Sequence, residues 1–186
     1  MAPVSWPQEF ILMALLADQP DHGYGLYRRL QADPGWGQIW RIQRSEVYFL
    51  LRKLSALGLV RPLAVEKGGG PARSKLALTA LGRRRLREWM RSPVSSPREL
   101  RAAFVAKLYL ALQDGPRVAR ALVDRQRQLL RRRLREEKKL PRGGAIRAAI
   151  EIRSVQTRAA LEYLDGLEKR LVHRRRSSLR QGSVRS

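Results

Sequence analysis

The sequence predicts a mainly α fold with one two-stranded β-hairpin, organised as two regions joined by a short linker. Apolar residues recur at helical spacing through most of the 186 residues. Two short β-type segments flank a glycine run at 67–71, the one place where strands replace the helical pattern. A proline- and serine-rich stretch at 92–97 then precedes a second region that is helical throughout.

The first two helices are predicted from apolar spacing and from the residues that can cap them. The first is expected to begin near Pro7, a favoured residue in a first helical turn, with Ser5 as its cap. The second is expected to cover 22–32, with Asp21 as its cap, and to end at the Asp33-Pro-Gly-Trp-Gly37 segment. Because the first helix is apolar around most of its circumference, we expect it to lie in the core.

The third predicted helix carries two faces of different chemistry. It is expected to run from about Arg44 to Leu57 and to be closed by Gly58. Its apolar residues recur every three or four positions: Val47, Leu50, Leu51, Leu54 and Leu57. The opposite face mixes small polar, aromatic and basic side chains: Ser45, Tyr48, Phe49, Arg52 and Lys53. Such a mixture is suited to contacting base edges and phosphates.

A hairpin and a fourth helix follow. The strands are expected within 59–65 and 73–78, and the helix at 80–91 with Thr79 as its cap. Three helices, a hairpin and another helix is the order of an N-terminal winged helix-turn-helix with a two-stranded β-wing. In that arrangement the third helix fits a major groove about 12 Å wide, and the cationic wing reaches phosphates beside it. The candidate DNA-binding residues are therefore Arg44, Ser45, Tyr48, Phe49, Arg52, Lys53, Lys67, Arg73 and Lys75.

Three helices are predicted for the second region, at 98–112, 118–139 and 145–172. The last has apolar residues in alternating steps of four and three, the pattern of a coiled-coil stripe. We expect this stripe to pair with another subunit, because three helices without a sheet leave little else to bury it. A helical hairpin within one chain is the alternative. The candidate dimerisation residues are Phe104, Leu108, Ile146, Ile150, Leu164, Leu167 and Leu171.

These elements predict four parts of the chain. A winged helix-turn-helix DNA-binding domain at 1–91 is followed by a linker at 92–97 and a C-terminal helical dimerisation domain at 98–172. The basic tail at 173–186 is rich in arginine and serine and lacks apolar periodicity, which is typical of a disordered segment.

The charge balance favours a polyanionic partner. With 39 basic and 16 acidic residues, the formal net charge is +23. Of the 39 basic residues 32 are arginine, so a codon bias toward arginine is an alternative source of part of this charge. Charge alone does not choose between one polyanion and another.

Several kinds of site are disfavoured by the residues present. There is no cysteine, which excludes disulfides and cysteine-ligated metals. The two histidines, His22 and His173, lie far apart in the sequence, and no serine is followed by a credible base and orienting group. The longest apolar run, at 10–17, is too short to span a bilayer. We therefore predict a cytoplasmic protein that is no enzyme and uses no cofactor, metal or membrane.

Several motifs, taken in order, resemble those of PadR-family transcriptional regulators. His22-Gly-Tyr24 opens the second helix, and Val47-Tyr-x-Leu-Leu-Arg-Lys-Leu54 with Leu57-Gly-Leu-Val60 forms the third. Leu78-Thr-x-x-Gly-Arg83 begins the fourth, and Phe104-Val-Ala-Lys-Leu-Tyr-Leu110 lies beyond the linker. Each motif is short, but their order and spacing together are specific and cover nearly the whole chain.

The resemblance implies a homodimeric repressor that binds a palindromic operator and releases it when a small aromatic or drug-like effector binds. Tyr48 matches the tyrosine with which the family's recognition helix reaches the DNA backbone, and Arg52, Lys53 and the wing match positions that commonly support DNA contact. Family members often carry glycine at the position of Ser45 and proline at that of Phe49; both positions lie on the expected DNA-facing surface, so the resemblance implies the fold and not the operator sequence.

The tryptophans have two interpretations. Packing in a core or an interface is the ordinary role of such residues. The resemblance adds a second role, in which they help to form an aromatic effector pocket from Trp6, Trp36, Trp40 and Trp89.

Two other functions stay open from the sequence. A non-specific nucleic-acid-binding or architectural basic protein would bind all duplexes alike, whereas a repressor prefers its site by about 10³-fold or more. A protein–protein adaptor with the same fold would bind DNA weakly at physiological salt despite its charge.

Overall fold

The computed structural model of the chain describes residues 6–39, 42–63, 74–96, 99–139 and 144–182. The chain forms two compact units, Met1–Arg91 and Ser92–Ser186. In the described residues both units are helical apart from one two-stranded antiparallel sheet in the first, so the predicted fold class is confirmed.

The described part of the first unit contains five helices and the hairpin: α1 (Pro7–Asp18), α2 (Gly23–Ala32), α3 (Pro34–Ile39), α4 (Arg44–Ala56), β1 (Val60–Pro62), β2 (Leu76–Leu78) and α5 (Ala80–Arg91). Helix α1 begins at Pro7 as predicted, but its N-cap is Trp6. The predicted cap, Ser5, lies outside the described residues. Glu9 satisfies this helix end instead, because its Oε2 accepts a hydrogen bond from the Trp6 backbone N–H at 3.0 Å.

Helix α3 is an addition to the predicted elements. The Asp-Pro-Gly that ends α2 also starts a new helix, because Asp33 Oδ1 accepts hydrogen bonds from the backbone N–H groups of Gly35 at 2.7 Å and Trp36 at 3.1 Å. Pro34 is tolerated here because a first-turn residue has no intrahelical partner for an N–H. A sequence that breaks one helix can therefore cap the next.

The core of the first unit is built around α1, as predicted from its apolar circumference. Leu12 and Met13 are fully buried. The helix contacts α4, α5 and β2, so apolar residues on most of its sides have a neighbour to pack against. Burying a leucine or methionine side chain contributes roughly 1.5–3 kcal/mol to the free energy of folding. Apolar residues on each packed side of this helix therefore stabilise the fold.

The hairpin pairs β1 with β2 in antiparallel register, with Val60 opposite Leu78 and Pro62 opposite Leu76. Thr79 caps α5 as predicted, since its Oγ1 accepts a hydrogen bond from the Gly82 N–H at 3.0 Å and donates one to the Gly58 carbonyl at 2.8 Å. Gly58 ends α4 in the left-handed region at φ 67°, where other residues are strained. The wing tip at 64–73 lies outside the described residues.

The second unit contains a π-helical turn, Leu100–Phe104, that runs directly into the first of three helices: α6 (Val105–Gln113), α7 (Pro116–Glu137) and α8 (Gly144–Gly182). Helix α8 continues ten residues past its predicted end at Val172 into the segment predicted to be disordered. The physical reason is that arginine and serine lack the breaking effect of proline, and the next glycine after Gly166 is Gly182.

The described residues of the predicted linker are part of the second unit rather than a free connection. Val94 is buried, and the fully buried Gln126 of α7 holds its backbone at two points. Gln126 Oε1 accepts from the Val94 N–H at 2.7 Å, and Gln126 Nε2 donates to the Val94 carbonyl at 3.0 Å. Lys107 Nζ donates to the Ser92 carbonyl at 2.6 Å. These long-range partners explain why a composition typical of a linker adopts a fixed position.

Helices α7 and α8 pack against each other within the chain. Arg127 of α7 joins them through its guanidinium, with Nη2 at 2.6 Å from Asp165 Oδ1 and Nη1 at 2.5 Å from Glu168 Oε2. Leu164 of α8 is 1% exposed beside these charges. The arrangement corresponds to the helical hairpin that the sequence left as the alternative.

Three of the seven predicted dimerisation residues are corrected by the packing within one chain, and the other four stay a prediction. Phe104, Leu108 and Leu164 are buried in a single chain and cannot also form a surface for a second one. Ile150 and Leu167 are half-buried, and the side chains of Ile146 and Leu171 lie outside the described part. The predicted apolar stripe of α8 therefore packs mainly against α7 of the same chain, because α7 is its neighbour in the sequence.

Candidate nucleic-acid interface

Helix α4 has one buried and one exposed face. Its apolar side packs into the first unit through Val47, Leu50, Leu51 and Leu54. The other side is exposed to solvent and carries five of the predicted DNA-binding residues: Arg44, Ser45, Tyr48, Phe49 and Arg52. At about 100° per residue these five lie within one sector of roughly 140°. We refer to this set of five as the α4 face.

Two aromatic side chains on the α4 face are unusually exposed. Tyr48 is 40% and Phe49 52% accessible. Exposed aromatic rings next to arginines are a feature of contact surfaces rather than of ordinary solvated helices. Phe49 offers an apolar edge suited to a thymine methyl group, and Tyr48 offers a hydroxyl suited to a phosphate.

The ring of Tyr48 is positioned by the start of α2. A Cβ placed on Gly23 would come within 2.8 Å of Tyr48 Cε1, so glycine is what allows the ring to lie against this helix end. Asp21 does not cap α2 as predicted; the N-cap is His22. The Asp21 carboxylate instead accepts hydrogen bonds from the His22 backbone N–H and pairs with its Nδ1, both at 2.8 Å. These contacts fix the turn that brings Gly23 to Tyr48.

Lys53 does not belong to the α4 face. Its ammonium pairs with the carboxylate of Glu9, which is fully buried, and its side chain is 16% exposed. It also lies 6.0 Å from the centroid of the Trp6 ring. By helical spacing, Lys53 lies at the margin of the polar face. Its side chain turns toward the core, because the buried Glu9 carboxylate of α1 requires a cationic partner.

Only part of the predicted wing site lies in the described residues. Lys75 is exposed just before β2, and Arg61 is exposed on β1. Lys67 and Arg73 lie outside the described part of the chain. The described base of the wing thus presents two exposed cationic side chains.

The described tryptophans occupy separate environments. Trp36 is buried in the first unit, Trp89 stacks on Phe10 with ring centroids 4.4 Å apart, and Trp6 is 52% exposed. Trp40 lies outside the described residues. Trp36 lines a small cavity, together with Gln8, Ile11, Leu30 and Ile42. Its volume is about 10 Å³, room for about one water molecule and not for an aromatic ring.

Two surfaces were missed by the sequence reasoning. Tyr24 and Arg28 are exposed one turn apart on α2, beside the contact between Gly23 and Tyr48. On α8 three large apolar side chains, Ile152, Val155 and Tyr163, are each more than half exposed. Their spacing forms a second helical stripe on the side away from Leu164, and that periodicity was available in the sequence.

Metal and membrane sites are not found in the part of the chain that the structure describes. There, no group of three or more histidine, aspartate or glutamate side chains is arranged to hold a metal ion. None of the helices searched is both long enough and apolar enough to cross a membrane.

Comparison with known proteins gives a family for the first unit. Residues 11–88 match the transcriptional regulator PadR-like family. A probable transcriptional regulator of Mycobacterium tuberculosis is 30% identical over 87 residues, which are 47% of this chain and 45% of that protein. The chain therefore spans less than half the length of this curated relative.

Solved structures of the same family are also similar. Bacillus subtilis PadR in complex with operator DNA has a TM-score of 0.44 and 16% identity, over 88% of this chain and 98% of that one. The complex of Bacillus subtilis PadR with p-coumaric acid has a TM-score of 0.42 and 16% identity, over 89% and 98%. Residues 11–88 are therefore similar to the PadR-like family of transcriptional regulators.

Proposed function

We propose that this protein is a sequence-specific DNA-binding regulator that reads duplex DNA with the α4 face. The observation that carries the proposal is the segregation of α4 into a buried apolar side and an exposed side bearing Arg44, Ser45, Tyr48, Phe49 and Arg52. The match of residues 11–88 to a family of transcriptional regulators supports it. No catalytic step is part of the proposal.

In this proposal α4 lies in a major groove, about 12 Å wide, and its residues divide the contacts. Arg52 and Arg44 are suited to guanine edges or phosphates, and Ser45 is small enough to approach a base. Tyr48 is held toward the backbone by its contact with Gly23. Lys75 and the wing residues Lys67 and Arg73 would add phosphate contacts at the adjacent groove.

The functional unit in the proposal is a homodimer on a palindromic operator, with 1–91 binding DNA and 98–172 supplying the dimer contact. The support comes from the exposed stripe of α8, where Ile152 is 61%, Val155 56% and Tyr163 56% accessible. Large apolar side chains grouped on one helix side favour burial against a partner. Two α4 helices would then enter successive major grooves roughly 34–36 Å apart.

The proposal also includes repression that is relieved when a small aromatic effector binds. This part rests on the family motifs. The small volume of the cavity beside Trp36 means that an aromatic ring could enter there only if the neighbouring side chains moved. Binding at that place is therefore expected to change the fluorescence of Trp36. Effector binding elsewhere would leave this signal unaltered.

The alternative is a basic protein that binds any duplex through its net charge of +23. It requires no particular arrangement on α4, because counterion release depends on the number of phosphates neutralised and not on sequence. Substituting any exposed arginine would then have a similar effect.

The experiment compares two exposed arginines. Arg52→Ala removes a residue of the α4 face, and Arg158→Ala removes an exposed arginine of α8. Affinity is measured by fluorescence anisotropy on a duplex that the wild-type protein enriches from a random pool. We expect Arg52→Ala to weaken binding by about 1–3 kcal/mol and to relax base preference, with little effect of Arg158→Ala. Equal effects of the two substitutions would favour the non-specific alternative.

A further inference from the structure

Helix α5, which follows the wing, presents a second cationic surface. Its inward side packs into the first unit through Gly82, Leu86 and Trp89. On the opposite side three exposed arginines recur at i, i+3 and i+7: Arg84, Arg87 and Arg91. At about 1.5 Å and 100° per residue, they form one row roughly 10 Å long. We refer to these three residues as the α5 arginine stripe.

The stripe carries a net positive charge. Helix α5 contains five arginines and one acidic residue, Glu88, which lies 3.7 Å from Arg85 outside the stripe. Within the described part of the chain, no carboxylate lies within ion-pair distance of Arg84, Arg87 or Arg91. Three neighbouring guanidinium groups repel one another, and a polyanion bound across them would offset that repulsion.

The stripe is separate from the α4 face. On α1, Glu9 contacts Lys53 of α4, whereas the next residue, Phe10, stacks on Trp89 of α5 at 4.4 Å. Consecutive residues of a helix point about 100° apart. Helices α4 and α5 therefore contact α1 on different sides, which favours a stripe that is separate from the α4 face.

We propose that the α5 arginine stripe is a second DNA-binding surface, which holds the phosphates of a duplex segment other than the one read by α4. The inference rests on the proposed DNA binding by α4. Duplex DNA carries one charge per about 1.7 Å of axis, so a row of roughly 10 Å faces several phosphates. Arginine is suited to this role because its planar guanidinium binds phosphate through two parallel hydrogen bonds.

The chemistry of the stripe assigns it to backbone contact without base reading. It lacks the small polar and exposed aromatic side chains that the α4 face combines with its arginines. Phosphate contacts give affinity that is independent of sequence. The protein would thus hold one duplex segment by sequence and bring a second segment to the same molecule.

The test is capture of a second duplex by full-length protein. The wild-type protein is bound to an immobilised duplex enriched from a random pool, and a fluorescent duplex of scrambled sequence is then added. Arg84→Gln/Arg87→Gln/Arg91→Gln removes the stripe. Arg117→Gln/Arg135→Gln/Arg158→Gln removes the same charge from exposed positions of α7 and α8. Circular dichroism checks that both variants fold.

We expect the stripe variant to capture at least about fivefold less of the second duplex while binding the immobilised one within about threefold of wild type. The control variant is expected to capture nearly as much as wild type. Equal losses in both variants, or no loss in the stripe variant, would overturn the proposal.

The proposed function is tested separately in the same experiment. Preference for the enriched duplex over the scrambled one is measured before the second duplex is added. If that preference is absent, the reading of DNA by α4 fails, whatever the stripe does. If it is present and second-duplex capture does not depend on the stripe, the inference fails alone.

Discussion

At the scale of single residues, the side chains that matter most are those whose partners lie far away in the sequence. Glu9 and Lys53 form a buried ion pair between α1 and α4, and Gly23 makes room for the ring of Tyr48. Lys107 is 3% exposed and donates to the Ser92 carbonyl. Each residue fixes the position of a helix or a loop, and each has an effect that can be measured on its own.

Gly23→Ala is expected to weaken DNA binding with little effect on stability. The added Cβ would lie 2.8 Å from Tyr48 Cε1, and the exposed ring can turn aside at small cost to the fold. The displaced hydroxyl then misses its phosphate. Affinity for the enriched duplex and the melting temperature are measured for this variant. The same measurements are made on Tyr48→Phe, which removes only the hydroxyl group. A destabilised protein with unchanged affinity would show that the contact is purely structural.

Lys53→Ala is expected to cost stability rather than specificity. The substitution leaves the Glu9 carboxylate buried without its cation, a loss of about 3 kcal/mol in the free energy of unfolding. Glu9→Gln/Lys53→Met, which removes both charges, is expected to recover most of that loss. Urea unfolding of the two variants gives the comparison. A stable Lys53→Ala protein with weakened DNA binding would return Lys53 to the α4 face.

The buried Lys107 predicts a pH dependence of stability. Burial lowers its pKa from 10.5 to about 8, against an opposing effect of Glu99. Because the folded pKa lies below the unfolded one, the unfolded chain binds more protons between pH 8 and 10.5, and the contribution of Lys107 to stability rises with pH in that window. The contribution is at most about 3 kcal/mol.

Lys107→Met isolates this effect from other groups that titrate in the same range. The difference in unfolding free energy between wild type and variant is measured at several pH values from 7 to 10.5. We expect wild type to gain on the variant as the pH rises. A difference that is constant across the range would mean that Lys107 keeps an ordinary pKa.

At the scale of elements, helix ends set by neighbouring residues could be predicted from the sequence, whereas contacts between residues far apart in the sequence could not. Thr79 as the cap of α5 and Gly58 at the end of α4 follow from residue chemistry within a few positions, and both agree with the structure. The α4 face was largely predictable because periodicity separates it from the buried side. Lys53 sits at the margin of that face, where only the buried Glu9 decides its direction.

The helices of the second unit show the same limit. The stripe containing Leu164 was recognisable as apolar, but periodicity does not say whether α7 or another subunit covers it. The structure assigns it to α7 and leaves Ile152, Val155 and Tyr163 exposed. The linker composition at 92–97 likewise gave no sign that Gln126, thirty-two residues from Val94, would hold it.

Helix α8 supports a prediction about assembly. Ile152→Asp/Tyr163→Asp is expected to convert the proposed dimer to a monomer, because both substitutions place charge on the exposed apolar stripe while leaving Leu164 packed. Sedimentation velocity measures the change, with Arg158→Asp, an exposed position of the same helix, as control. A variant that stays dimeric with a normal melting temperature would place the dimer contact elsewhere.

At the scale of the whole molecule, charge and shape act together. A net charge of +23 attracts polyanions of any sequence, and in the proposed function the α4 face chooses among DNA sequences. The α5 arginine stripe adds phosphate affinity on another side of the first unit. In this account the excess charge supplies encounter rate and affinity, and the five residues of the α4 face supply discrimination.

The most direct test of the central claim is the ratio of affinities for two duplexes at about 150 mM salt, where non-specific attraction is weakened. Anisotropy titrations compare the duplex enriched by the wild-type protein with a scrambled duplex of equal length and composition. We predict a preference of about 10³-fold or more for the enriched duplex. Equal binding to both duplexes would contradict sequence-specific reading by α4 and leave a protein that binds DNA by charge alone.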